Sequence, residues 1–211
     1  MATTLYLTNT LADVNPSSAT EYALSLTRGN AAVSETGVST DDADPILDNS
    51  FIDDASGTVV WLSKPLNAVT ISGSLTVNLR ALESSMAANQ QSGIWIRRYT
   101  NAGDPTTDYI IDETLPSGVE MGTAEAAQNW SATPFSTAIP AGDRIGCNVF
   151  AIEIGVGVTG HTHTLFFDGP TAGASGDSFI TFTETITEQA GIDPALLAGA
   201  LIESIDLQVA D

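Results

Sequence analysis

The sequence predicts an all-β protein: an antiparallel β-sandwich, jelly-roll-like, with an extended N-terminal arm and a short C-terminal helix plus strand. Three observations carry this. Within residues 58–85, Val69 and Ile71 alternate with Thr70 and Ser72; after Gly73-Ser74, Leu75, Val77, Leu79 and Ala81 alternate with Thr76, Asn78 and Arg80. A period of two gives one packed face and one wet face. Short strand-like runs then recur with Gly- and Pro-containing turns between them, the spacing of a sandwich or jelly roll. No helix-sized amphipathic segment separates them, which argues against a parallel α/β sheet.

The elements follow in order. Residues 3–8 alternate and form a first strand; residues 22–27 form a second, closed by Arg28-Gly29-Asn30. Residues 31–57 are rich in Ser, Thr, Asp and Ala and hold the acidic run Asp41, Asp42, Asp44, Asp48, Asp53 and Asp54. They are expected to form a long loop or extended arm anchored by Pro45-Ile46-Leu47 and Phe51-Ile52; a loop of that length in a compact domain is usually functional or mobile. Residues 58–85 read as strand, corner, strand, tight turn, strand. Further strands are expected at 93–99, 143–154, 162–168 and 178–187, with a hairpin-like segment at 109–122 and a polar connection at 124–130. Asp193-Pro194 is a helix-start signal, an N-cap aspartate before a proline. Leu196, Leu197, Ala200 and Leu201 then share a helical face, and Ile205, Leu207 and Val209 alternate as a terminal strand. The expected organisation is 1–57, N-terminal strands and acidic arm; 58–188, sandwich core; 189–211, C-terminal extension.

The chain's 211 residues suffice to bury a substantial core. Six basic residues against twenty-six acidic ones give a formal net charge of -20. Such a field repels phosphates, so neither nucleic acid nor an anionic membrane is an expected partner. The N-terminus lacks the basic and apolar regions of a signal peptide. No run approaches the roughly 20 apolar residues of a membrane span.

Little in the chain suggests catalysis. Cys147, beside Ile145 and Val149, reads as a buried small hydrophobe. His161 and His163 lie on one strand face and in principle share a metal, with Asp168 or Glu153 as conjectural further ligands. Two polar residues entering a strand explain them as well. The acidic run lacks EF-hand spacing. Gly155, Gly157 and Gly160 spell G-x-G-x-x-G but lead into a strand, so no helix N-terminus receives a phosphate. No cofactor, metal or catalytic residue is expected. Trp61 and Trp95 are expected in the core, and Trp130, in a connection, is the candidate ring for stacking on a ligand. Arg97 and Arg98 adjoin in one strand and, with Arg80 and Arg144, concentrate positive charge in the β body, a surface on which the acidic arm of a neighbouring copy would dock.

Several segments resemble a group of tailed-bacteriophage virion proteins: Thr4-Leu5-Tyr6-Leu7, Trp61-Leu62-Ser63-Lys64-Pro65-Leu66, Val69-Thr70-Ile71-Ser72-Gly73, Leu79 to Ser84, Glu120-Met121-Gly122-Thr123, Asn129-Trp130-Ser131-Ala132-Thr133-Pro134, Ala141-Gly142-Asp143-Arg144-Ile145, Phe167 to Ala174 and Gly176-Asp177-Ser178-Phe179. The resemblance covers about 58–187 and the first strand. It implies a non-enzymatic virion structural protein, made in the host cytoplasm, that decorates and stabilises the outer capsid. Its partners would be the major capsid protein or copies of itself. The contacts are expected at Leu5, Leu7, Ile46, Leu47, Arg97, Arg98, Leu197, Leu201, Ile205, Leu207 and Val209. The alternative is a tail- or fibre-associated module that recognises host surface glycans, with Trp130 as its ring.

Overall fold

The computed structural model describes residues 1–14, 21–38, 49–50, 61–111, 117–153 and 161–190. Among these the secondary structure is all β. The strands are β1 (Thr3–Leu11), β2 (Tyr22–Ser25), β3 (Val33–Val38), β4 (Asn49–Ser50), β5 (Trp61–Ser63), β6 (Val69–Ile71), β7 (Leu75–Glu83), β8 (Gln90–Tyr99), β9 (Pro105–Ile111), β10 (Ala126–Ala132), β11 (Thr137–Ile139), β12 (Arg144–Glu153), β13 (Thr162–Phe167) and β14 (Phe179–Phe182). The expected C-terminal helix and strand lie outside the described residues.

One large sheet runs β3-β13-β7-β14-β1-β2-β5-β12-β8-β9, with β10 on β7 and β4 on β12; β11 and β6 form a second, two-stranded sheet. The large sheet is mixed, because β2 and β5 run parallel. It curls. The end of β7 and the start of β8 stand far apart in the strand order, yet one short segment joins them. The Glu83 N–H donates to Gly122 O at 3.0 Å, and the Met121 N–H donates to Gln90 O at 2.7 Å. The curl lets both halves face one core, in which Leu79 and Phe167 join Ile94, Ile96 and Val149.

The predicted alternation holds in β7 except at Asn78. Leu75, Val77, Leu79 and Ala81 are buried, Thr76 is exposed and Arg80 half-buried, but Asn78, expected on the wet face, is buried because its Nδ2 donates to Asp177 O at 2.6 Å. The predicted pairing does not hold. β6 does not turn back onto β7 but pairs with β11, Val69 opposite Ile139. β7 instead takes β10 along one edge and β14 and β13 in tandem along the other. Three local expectations change as well. The stretch read as an arm contains β3, which pairs with β13 from Thr162↔Val38 to Phe167↔Val33. The polar connection is β10, whose inward residues Gln128 and Ala132 are buried and whose Trp130 packs on the core. Of the segment 109–122, read as hairpin-like, the described residues show β9 ending at Ile111 and pairing with β8, and no strand in 117–122.

The turn from β13 to β14 is locked by polar contacts. Asp168 has φ 63° and accepts the Asn9 N–H at 3.0 Å. Asp177 pairs with Arg28 and accepts the Gly173 N–H at 2.6 Å. Gly169 N–H donates to Gly176 O at 2.8 Å. Gly176 has φ 76°, and a Cβ there would stand 2.6 Å from Phe167 O; Gly173 has φ 72° but open space around its Cβ position. Gly176→Ala should therefore cost about 2–3 kcal/mol, joining a left-handed backbone penalty to a main-chain clash. Gly173→Ala should cost only about 1 kcal/mol. Urea denaturation of both variants separates these costs, and equal losses would show that the close approach is unimportant.

Candidate functional site

At one end of the core, several inward rows change from apolar to polar together. The β7 row Leu75-Val77-Leu79-Ala81 ends in Glu83. The β13 row Phe167-Leu165 ends in His163. The β8 row Ile96-Ile94 ends in Ser92 and Gln90. All four polar residues are 0% exposed. Glu83 and His163 are directly opposed across the β7–β13 ladder, which puts their side chains side by side on the inner face. Sequence reasoning missed this end because it followed the inward register only while the residues stayed apolar; Glu83 occupies the next inward position after Ala81.

The geometry holds the site while leaving part of its polarity open. The Gln90 N–H donates to Glu83 Oε2 at 3.0 Å. The Ser92 hydroxyl donates to Met121 Sδ at 3.6 Å, and Ser117 Oγ donates to Gln128 Oε1 at 2.9 Å. Among the described residues, Glu83 Oε1 and both side-chain polar atoms of Gln90 are buried without a hydrogen-bond partner. Buried polar atoms in that state cost about 1–3 kcal/mol each, so they mark a place under some pressure other than stability. Burial pushes the Glu83 carboxyl above its ordinary pKa; the Gln90 N–H opposes the shift, Glu120 adds to it and His161 opposes it. A buried acid beside a buried histidine is the combination from which proton-transfer sites are built.

The residues singled out from the sequence lie elsewhere. Leu5 and Leu7, expected at a subunit contact, are each 1% exposed and pack in the chain's own core, since β1 sits between β14 and β2. Arg98 bridges Asp108 and Asp143. Arg97 donates to Tyr99 Oη at 2.6 Å and lies over the Tyr99 and Tyr109 rings. Arg80 pairs with Glu125 and Arg144 with Asp13. Much of the positive charge expected to receive an acidic arm is thus engaged within the chain. Trp130 is half-buried rather than free. Trp61 is fully buried, whereas Trp95 is half-buried and stacks edge-on with Phe150. Cys147 is buried, and burial pushes its thiol far up, away from thiolate chemistry. Asp168 stands at the far end of β13 from His163, so it does not share a site with the histidines. Ile46, Leu47, Leu197, Leu201, Ile205, Leu207 and Val209, with the whole acidic run from Asp41 to Asp54, fall outside the described residues.

A concave feature lies elsewhere, at the edge of the large sheet. A groove of about 470 Å³ is lined by Arg98, Asp108, Tyr109, Phe135, Thr137 and their neighbours.

No protein-family model matches the chain, and no curated protein matches it. The resemblance to phage virion proteins therefore gains no support from either. Solved structures do align. A CocE/NonD family hydrolase from Staphylococcus aureus is 12% identical and aligns at a TM-score of 0.53, over 86% of this chain and 36% of its own. An aminopeptidase from a marine sediment archaeon, Thaumarchaeota archaeon, is 13% identical and aligns at 0.52, over 89% of this chain and 37% of its own. The VP2 subviral particle of infectious bursal disease virus aligns at only 0.23, too low to bear on the fold. The chain thus shares its fold with a part of these hydrolases and spans just over a third of their length. This overturns the expectation of a non-enzymatic virion structural protein or glycan-recognising tail module: the neighbours that align at a meaningful score are enzymes.

Proposed function

We propose that the chain is a jelly-roll-like β-sandwich serving as a module of a hydrolase, with its buried polar end facing the chemistry. The observation that carries this reading is the convergence of Glu83, Gln90, Ser92 and His163 at one end of a fold that hydrolases also contain. Cleaving an ester or amide requires a group that takes a proton from the attacking oxygen and returns it to the leaving group. His163 is the candidate for that task. Glu83, next to it on the inner face, would fix the ring orientation and stabilise an imidazolium. The share of the neighbours' length that the chain spans supports action alongside a further catalytic body rather than alone.

The test uses the full-length protein isolated natively with any partner still bound. It is assayed on p-nitrophenyl esters and on aminoacyl p-nitroanilides. Turnover of at least one class is expected, and His163→Asn should lower kcat/KM at least tenfold while the thermal unfolding transition stays cooperative. A preparation inert on both classes, or one whose rate ignores His163→Asn, would overturn the proposal.

A further inference from the structure

β7 and β8 follow one another in the chain, yet among the described residues they are not strand partners. At the polar end the seam between them is closed by residues 117–122, which belong to no strand. Main-chain bonds fasten this segment on both sides. The Ser117 N–H donates to Ser92 O at 2.8 Å and the Met121 N–H to Gln90 O at 2.7 Å, both on β8, while Gly122 O accepts the Glu83 N–H of β7 at 3.0 Å. The segment therefore lies against Glu83, Gln90 and Ser92, three of the polar residues that are fully buried.

Its fastening is uneven. Ser117 is well anchored, its hydroxyl donating to Gln128 Oε1 at 2.9 Å. Gly118 follows at φ 71° with open space around its Cβ position, a place where the backbone can swivel. Gly118, Val119 and Glu120 are exposed, Val119 at 54%. Met121 alone points inward, and its polar contact is the Ser92 hydroxyl at 3.6 Å, the weak bond of an O–H to a thioether. What lies behind the segment favours opening. Among the described residues, Glu83 Oε1 and both side-chain polar atoms of Gln90 have no hydrogen-bond partner, so the closed state keeps them dry and an open state hydrates them. A segment covering apolar side chains would lose hydrophobic contact throughout on opening; this one loses chiefly that of Met121.

We propose that residues 118–122 form a strap that swings out about Gly118, exposing Glu83, Gln90 and Ser92 while the sheet stays folded. Ser117 keeps its bonds to Ser92 O and Gln128. The bonds to Gln90 O and from the Glu83 N–H are released, and Met121 leaves its place beside Ser92. Such an opening is a local event, cheaper than global unfolding because it breaks few contacts. The inference rests on the hydrolase reading for what passes behind the strap: a site whose groups are fully buried needs a route for substrate. The opening itself is a property of the fold and is measured without substrate.

Thiol labelling of a Ser92→Cys variant of the full chain tests this, with the buried native Cys147 as the reference in the same molecule. With an aromatic disulfide reagent in buffer, the thiol at position 92 should react at least tenfold faster than Cys147. Urea below the unfolding transition should speed Cys147 and leave position 92 nearly unchanged, since a local opening exposes little surface. Met121→Ala in the same background should speed position 92 at least tenfold. Equal rates for the two thiols, a shared urea dependence or indifference to Met121→Ala each overturns the proposal. If Ser92→Cys does not unfold cooperatively, hydrogen exchange of the wild-type protein decides. The Met121 amide should then exchange at least tenfold faster than that of Val77, whose strand is paired on both sides, and equal protection overturns the strap. An opening strap on a protein inert toward esters and anilides would sink the hydrolase reading alone; turnover with position 92 protected would sink the strap alone.

Discussion

Arg144→Met should lower the unfolding free energy by about 1–3 kcal/mol. Arg144 is 2% exposed, an unusual position for a guanidinium. Its Nη1 and Nη2 reach Asp13 at 2.5 and 3.4 Å, Nη1 also donates to Ser63 O at 2.8 Å, and Nε donates to Asn101 O at 2.9 Å. One side chain therefore ties the stretch after β1, the end of β5 and the β8–β9 turn to the start of β12. Asp13 is 49% exposed, so the ion pair itself contributes little after solvent screening. The cost lies chiefly in the buried Ser63 carbonyl that methionine cannot satisfy, worth about 1–3 kcal/mol when orphaned, whereas the carbonyl of the exposed Asn101 can turn to water. Methionine keeps much of the apolar stem, which isolates the polar loss. Asp13→Asn should then cost under about 1 kcal/mol. Urea unfolding of the two variants decides the matter: if Asp13→Asn cost as much as Arg144→Met, the ion pair rather than the carbonyl bonds would be holding these segments.

The sequence made strand character legible wherever the inward residues are apolar. Val77, Leu79 and Ala81 announce β7, and Cys147 and Val149 announce β12. It failed where the inward residue is polar or the strand is an edge. In β10 the inward Gln128 made the segment read as a connection. β3 ends the sheet order and its Ser34, Glu35 and Thr36 carry no alternating apolar signal, because an edge strand needs none. Pairing was legible least of all. The joining of β6 to β11 and of β2 to β5 is settled by packing between segments distant in sequence, and no local period encodes that. The candidate site was partly legible. His161 and His163 drew notice as a pair, yet the informative partner of His163 was Glu83, 80 positions away in the chain and adjacent only through the β7–β13 register. Following the β7 alternation one step past Ala81 finds it: a carboxylate in an inward register is a strand departing from its own pattern, and such departures concentrate at functional places.

Glu83→Gln should raise stability at neutral pH while harming whatever chemistry the polar end performs. Burial holds the Glu83 pKa above its ordinary value of 4.5 in the folded protein. The native state thus binds this proton more tightly than the unfolded chain does. The associated stability is fully present below the unfolded pKa and is lost as pH rises through the raised folded value. Glutamine carries no such penalty, and its carbonyl can still accept the Gln90 N–H that Glu83 Oε2 accepts at 3.0 Å. The two proteins should therefore have similar stability near pH 4, with the variant about 1 kcal/mol more stable by pH 8. Glu184 titrates with the opposite sign: although burial pushes its pKa up, the Ser72 and Gly73 N–H groups outweigh this and hold it down. It is common to both proteins and cancels in the difference. Glu120, His161 and His163 remain in the variant, so any dependence on them shows as a residual slope. Thermal melts from pH 4 to 8 measure the difference. A variant less stable at pH 8, or a gap that does not widen with pH, would mean that the Glu83 carboxylate is there to hold the fold. A widening gap means that it is retained against stability, which a purely structural role does not explain.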